Sequence, residues 1–273
     1  MSIKFARLNL RNPYLAASGC AGYGWELESY FPGLAWGGIF SKTITVTPRQ
    51  GNPPPRIFET SDSIINRIGL QNCGIKSFID NELPQTKNLP YPVIVSIFGA
   101  TAQEWTTLIN DLSRKDVPAF ELNMSCPNLK GEVILKDKTM CSDLVRRLKS
   151  LTNIPLIAKI NAIDDPVELA KGLSNAGIDG IVCSNTLPAS VLHKNQLMHG
   201  GLSGSAIKPV VLKAVSMLSS ADNTDLAACG GIRSAADIED YRKAGAKAFI
   251  IGSALFSDPL IINKIVRKDT TIT

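Results

Sequence analysis

The stretch VIVSIFGATAQEWTTLINDLSRKDVPAFELN, residues 93–123, holds two short apolar runs with an amphipathic segment between them. VIVSI (93–97) is apolar at nearly every position, and AFELN (119–123) is apolar until a polar end. A strand buried on both faces reads this way, and such strands belong to parallel sheets. Between the runs, Trp105, Leu108, Ile109 and Leu112 recur at helical spacing, and Thr101 stands where an N-cap belongs. Strand, helix, strand is the repeating unit of an α/β fold.

Working outward, six further runs share this character: YLAAS (14–18), GIFSK (38–42), LIAKI (156–160), GIVCSN (180–185), LAACGG (226–231) and AFIIGS (248–253). Helical patterns separate most of them. Residues 141–151 place Leu144, Val145, Leu148 and Leu151 on one face, with Ser142 as the cap. Residues 165–177 open with Pro166 in the first turn and end in Gly177, and 207–220, 234–245 and 259–268 repeat the theme. Eight strands favour an α/β fold of the (β/α)8 TIM-barrel type, a single domain over 1–273. Two stretches interrupt the alternation: the Pro/Gly-rich 45–74, and 196–204, read as a glycine-dense loop before a helix. Long insertions after barrel strands usually build the rim of a site.

Composition narrows the function classes. The 273 residues are 44% hydrophobic and 19% charged, with a net charge of +5 and no long Lys/Arg run. No nucleic-acid role is expected from that balance. The six cysteines include no CxxC pair, so no metal-ligand set is predicted. The N-terminus has no signal-type apolar region, and no stretch of 18 apolar residues exists. A cytoplasmic protein without membrane association is expected.

In a (β/α)8 barrel the site lies at the C-terminal strand ends. The runs end in Ser18, Lys42 with Thr43, Ser96, Asn123, Lys159, Ser184 with Asn185, Gly230 with Gly231, and Gly252 with Ser253. Lysines at the ends of buried strands need electron-rich partners. A cation beside the N1–C2=O edge of a flavin would stabilise its reduced anion, a natural task for Lys159. The glycines after the last two strands, with Gly204 ahead of another helix, fit a phosphate site built from backbone N–H groups. Cys126, in FELNMSCPN (120–128), reads from its surroundings as a packing residue, a metal ligand or an acid/base.

The motifs ASG (17–19), SKT (41–43), GNPPPR (51–56), NRIGLQN (66–72), ELNMSCPN (121–128), SNT (184–186), GGLSGSAIKP (200–209), CGGI (229–232) and IGSAL (251–255) occur in order along nearly the whole chain. Together they resemble the class 1 dihydroorotate dehydrogenases, FMN enzymes on a (β/α)8 barrel, and most closely the 1B branch. That resemblance implies oxidation of dihydroorotate to orotate in pyrimidine biosynthesis. In the 1B branch, electrons pass to NAD through a partner subunit carrying FAD and an iron–sulfur cluster. Cys126 is then the base that removes the C5 proton while hydride leaves C6 for the flavin. Lys42, Asn66, Asn123, Asn128, Asn185 and Thr186, with the backbone of Ile68, Gly69 and Leu70, match the substrate pocket. Ser18, Lys42, Thr43, Asn123, Lys159, Ser184, Gly204, Gly230, Gly231, Gly252 and Ser253 match the FMN contacts, with Ser96 assigned by position alone.

The chain departs from the family pattern after Asn128, where LKGEVILKDKTM replaces the usual glycine-rich continuation and is about two residues shorter. It also departs after Lys159 (KINAIDDP) and after SNT (LPASVLHKNQLMHGG). The alternatives are an FMN ene-reductase acting on another pyrimidine-like ring, a fumarate-linked class 1A-type activity, and a flavin-binding barrel without turnover. A homodimer or a heterotetramer is the expected assembly.

Overall fold

The computed structural model describes residues 2–124 and 137–269. Cys126 and Asn128 lie outside the described residues. An antiparallel ribbon, β1 (Ile3–Phe5) and β2 (Leu8–Leu10), comes first. The barrel begins with β3 (Tyr14–Ala16) and β4 (Gly38–Phe40), separated by the short helix α1 (Trp25–Tyr30). The 45–74 insertion carries β5 (Ile57–Glu59) and β6 (Ser63–Asn66). Two one-turn helices, α2 (Gly74–Ser77) and α3 (Leu83–Thr86), lead back to the barrel at β7 (Val93–Ile97).

Alternation is then regular through α4 (Ala102–Leu112), β8 (Phe120–Asn123), α5 (Lys138–Lys149), β9 (Leu156–Ile160), α6 (Pro166–Asn175) and β10 (Gly180–Cys183). A hairpin of β11 (Leu187–His193) and β12 (Gln196–Gly204) precedes α7 (Lys208–Ala221). The chain closes with β13 (Asp225–Cys229), α8 (Ala235–Lys243), β14 (Ala248–Ile251), α9 (Ala254–Ser257) and α10 (Ile261–Lys268). Among the described residues no helix is long and apolar enough to cross a membrane.

Strands β3, β4, β7, β8, β9, β10, β13 and β14 pair in parallel and close into an eight-stranded barrel, as the apolar runs predict. Two features differ from the sequence expectation. Residues 196–204 are a strand rather than a loop, and β12 joins β11 on one side and β6 on the other in the sheet β11–β12–β6–β5. Its glycines lower strand propensity but are required by contact. A Cβ on Gly201 would lie 2.0 Å from Thr186 Oγ1, and one on Gly200 2.4 Å from the Asn66 carbonyl. The cap of α5 is Asp137, whose side chain accepts from Met140 N, and not Ser142. Ser142 lies inside the helix, its hydroxyl donating to the Lys138 carbonyl at 3.0 Å. Thr101 does cap α4, accepting from Glu104 N.

Barrel register decides what faces the lumen. Leu15, Phe40, Ile94, Ala119, Ile157, Val182, Ala227 and Ile250 form one buried cluster with Phe5 and Leu10 of the N-terminal ribbon. The ribbon reaches the N-terminal end of the lumen, where Ala6 and Phe5 lie against Gly180 at the start of β10. Side chains two residues apart on a strand share a face. Moving two residues on from these positions brings Lys42, Ser96, Glu121, Lys159, Ser184, Cys229 and Gly252 into the lumen's next layer, and Asn123 follows Glu121. The apolar lower barrel thus lifts a polar layer toward the C-terminal mouth.

Candidate active site

A cavity of about 340 Å³ opens at that mouth. The described residues expected at the site all line it. From the barrel come Ser18, Lys42, Thr43, Asn123, Lys159, Ser184, Asn185 and Thr186. From the insertion come Asn66, Ile68, Gly69 and Leu70, and from the glycine-rich turns Gly204, Gly230, Gly231, Gly252 and Ser253. Ser96 lies just below and is fully buried.

Hydroxyls and amides form a connected floor. Thr43 Oγ1 is its hub: Ser18 Oγ lies 3.1 Å away, Ser96 Oγ 2.9 Å, and Asn123 Nδ2 donates to it at 3.2 Å. Asn185 Nδ2 donates to Asn123 Oδ1 at 3.1 Å, and Asn185 Oδ1 accepts from Thr186 N at 2.8 Å. Each amide therefore has its rotation set by its neighbour, a preorganised arrangement for reading a polar ligand edge. Lys159 Nζ stands 4.0 Å from Glu121 Oε2, with the two side chains 6% and 1% exposed.

One wall comes from the four-stranded sheet. Asn66, the last residue of β6, donates through Nδ2 to the Gly201 carbonyl at 3.2 Å, tying the two insertions together over the barrel. The chain then turns through Gly69 (φ 77°) and Leu70 (φ 53°). A left-handed leucine is rare and must be held by its surroundings. Asn72 holds it: its Nδ2 donates to the Leu70 carbonyl at 2.8 Å, while Oδ1 accepts from Gly74 N at 2.8 Å.

Beside that sheet, where β12 ends and β13 turns, the wall is made of close-approach backbone. Gly204 has φ 106° and Gly231 φ 68°. A Cβ on Gly231 would lie 2.7 Å from Lys208 Cβ and 3.0 Å from the Gly204 carbonyl, so the turns after β12 and β13 pack against each other without side chains. Lys208 in turn bridges Asp237 and Asp240 of α8.

Several lining residues do not stand at the end of an apolar run. Cys20, Gln71 and Arg233 reach the cavity from loops, Ser203 from β12 and Phe256 from α9. Burial pushes the Cys20 thiol up to about 12, although Lys159 nearby pulls the other way. Cys229 is likewise raised by burial, against the pull of Lys159 and with Glu121 adding to the rise. Both thiols are therefore protonated near neutrality. Glu121 itself was visible as the one charge inside AFELN.

A parallel barrel with a polar, cation-bearing cavity at its C-terminal mouth defines an enzyme of the (β/α)8 class. Its family follows from similarity. A family model described as "Dihydroorotate dehydrogenase" matches residues 1–271, and the chain belongs to that family. The chain is 38% identical over 267 residues to a protein of Endomicrobium trichonymphae named "Dihydroorotate dehydrogenase B (NAD(+)), catalytic subunit", covering 95% of this chain and 87% of the relative. A Bacillus thuringiensis (strain Al Hakam) protein of the same name is 35% identical over 280 residues, covering 98% and 90%. The expected 1B affinity is thus carried by the names of these relatives. The fold also matches a crystal structure titled as DHODH in complex with ferulenol from Eimeria tenella. The TM-score there is 0.84 at 22% identity, over 99% of this chain and 84% of the other. The protein is an oxidoreductase of this family.

Proposed function

We propose that this chain is the catalytic subunit of a cytoplasmic, NAD-linked dihydroorotate dehydrogenase in pyrimidine biosynthesis. In that role it oxidises dihydroorotate to orotate with bound FMN and hands the electrons to a partner subunit carrying FAD and an iron–sulfur cluster. The observation that carries this reading is the chain of amides and cations at one mouth: Asn66, Asn123 and Asn185 with Lys42 and Lys159.

The cavity residues fit FMN. A flat, polar isoalloxazine edge needs donors, and Lys159, Thr43 and Asn123 supply them from the barrel floor. A phosphate needs backbone N–H groups that can come close, and the Gly204–Gly231 contact leaves a wall of bare backbone in which a Cβ would strike Lys208 or Ser63. FMN, when bound, supplies the hydride acceptor for the hydrogen leaving C6 of the substrate.

The protein's own groups do the remaining work. Lys42 presents a cation to the substrate carboxylate. Asn66, Asn123, Asn185 and Thr186, with Asn128 and the backbone of Ile68 to Leu70, pair with the ring amides; each buried polar edge left unpaired would cost about 1–3 kcal/mol. Cys126 is the residue to which the family resemblance assigns removal of the C5 proton, and a thiol suits that step when its pKa lies near working pH. The amide chain through Thr43 keeps the donors oriented without substrate, so little reorganisation is required on binding.

The purified protein is expected to be yellow and to bleach when dihydroorotate is added anaerobically. A bound flavin that stays oxidised would overturn the reading, and bleaching by dihydrouracil instead would favour another ring as substrate. For the acceptor, steady-state assays with NAD and with fumarate, with and without co-purified protein, are decisive. NAD turnover that requires the partner is expected; fumarate turnover by the chain alone would point to the 1A type.

A further inference from the structure

Below the cavity floor lies a carboxylate that none of these roles uses. Glu121 sits in β8 between Ala119 of the lumen cluster and Asn123 at the mouth. Only 1% of its side chain is exposed. Burying a carboxylate among apolar strands is costly unless charge and hydrogen bonds compensate, and an apolar residue would serve packing at lower cost. Glu121 draws its compensation from the site itself. Its Oε1 accepts from Ser96 Oγ at 2.7 Å. Among the described residues its Oε2 has no hydrogen-bond partner, and it faces Lys159 Nζ at 4.0 Å. The register Glu121↔Ile157 and Asn123↔Lys159 puts both side chains on the lumen face of adjacent strands, with Lys159 one lumen position nearer the mouth than Glu121.

Among the described residues, the other titratable groups whose charge acts with that of Lys159 are Cys20, from the loop after β3, and Cys229, at the end of β13. Both are held protonated by burial, so neither provides a counter-charge. From Ser96 the hydroxyl chain continues to Thr43 and on to Asn123 and Ser18. One carboxylate thus stands behind both the cation and the polar floor.

We infer that Glu121 is a positioning residue, the buried counter-anion that keeps Lys159 charged and fixed at the cavity floor and anchors the Ser96–Thr43–Asn123 chain. The inference rests on the flavin reading above, because its consequence falls on the flavin's redox balance. A charged Lys159 favours an electron-rich, reduced ring. Without Glu121 the buried ammonium loses this counter-charge and that preference weakens.

The test is a double-mutant cycle of Glu121→Gln and Lys159→Gln on the FMN-loaded protein, with Glu121→Asp alongside. It reads the midpoint potential of the bound flavin and the FMN affinity of the stripped protein. Glu121→Gln is expected to lower the potential by about 30 mV or more, a tenfold change in a two-electron equilibrium. Glu121→Asp, which keeps the charge, should lower it less. In the Lys159→Gln background, Glu121→Gln should add little. The inference is overturned if Glu121→Gln leaves the potential unmoved, if Asp and Gln shift it equally, or if the Glu121→Gln shift persists in full without Lys159. Should Glu121→Gln fail to fold, Glu121→Asp carries the cycle: its smaller shift must vanish in the Lys159→Gln background. Wild-type protein that bleaches with dihydroorotate while the cycle is additive keeps the proposed function and loses this inference; wild-type protein that takes up no FMN loses both.

Discussion

Asn185 Nδ2 donates to Asn123 Oδ1 at 3.1 Å, so the amide at the end of β8 is oriented by the amide after β10 across the mouth of the barrel. One hydrogen of Asn123 Nδ2 goes to Thr43 Oγ1. Replacing Asn185 by Ala would leave the Asn123 oxygen, on a side chain in a residue 5% exposed, without this donor. An unpaired buried acceptor costs about 1–3 kcal/mol, roughly ten- to a hundredfold in an equilibrium. Asn185→Ala is therefore expected to lower kcat/KM for dihydroorotate by that factor, with the flavin potential close to wild type. Steady-state kinetics beside a redox titration check this; an unchanged kcat/KM would remove Asn185 from the substrate-reading chain.

Gly201 tests how the two insertions meet. A Cβ there would come 2.0 Å from Thr186 Oγ1 and 2.7 Å from Thr186 Cβ, distances that force β12 away from the chain entering β11. Overpacking of this kind typically costs about 1–3 kcal/mol. Gly201→Ala should lower the denaturant midpoint accordingly and raise KM, because Asn66 is tied to the Gly201 carbonyl. Adding Thr186→Gly should restore stability without restoring KM, since Thr186 lines the cavity. Full recovery of both would show that Thr186 matters only as an obstacle.

Gly201 also marks where the linear sequence stops being informative. The barrel strands were legible because each is apolar on both faces, and their polar ends pointed to the cavity by topology alone. Helix α4 was legible with its Thr101 cap. Residues 196–204 were not, because Gly200, Gly201 and Gly204 suppress strand propensity for a reason that lies on other segments, at Asn66, Thr186 and Ser63. Ser142 and Asp137 are both good caps in sequence; only packing, which buries Ser142, chooses between them. Glu121 went unused because a strand-end reading looks at the last residue of a run, while the charge that balances Lys159 lies two residues earlier.

The glycine wall, proposed to hold the FMN phosphate, makes a prediction about binding rather than turnover. Gly231→Ala would place a methyl 2.7 Å from Lys208 Cβ at φ 68°, where a non-glycine residue itself costs roughly 1–2 kcal/mol. FMN affinity of the stripped protein should fall by about tenfold or more. Gly33→Ala, at φ 80° with nothing within 4 Å, lies outside the cavity and serves as a control for backbone strain alone. Fluorescence titration of FMN with both variants separates the effects; equal losses would mean that the wall does not approach the ligand.

Asp237 links that wall to the pH dependence of stability. Burial disfavours its charge, yet the carboxyl is held below the usual range because Lys208, the Arg233 N–H and the Ser234 hydroxyl together outweigh the burial. A carboxyl whose folded pKa is depressed stabilises the fold fully above its unfolded pKa of about 3.9, and that contribution is lost as pH falls through the lower folded value. Asp237→Asn should thus destabilise the protein at pH 7 by about 1.5–3 kcal/mol, the range for a hydrogen bond to a charged group. The gap to wild type should hold down to about pH 5 and narrow below the unfolded value. Because Lys208 also packs against Gly231, the variant should release FMN more readily at neutral pH than wild type does. Denaturant unfolding from pH 7 to pH 3 and FMN titration at pH 7 check both limbs; a stability gap that is independent of pH would show that the Asp237 charge contributes nothing to the fold.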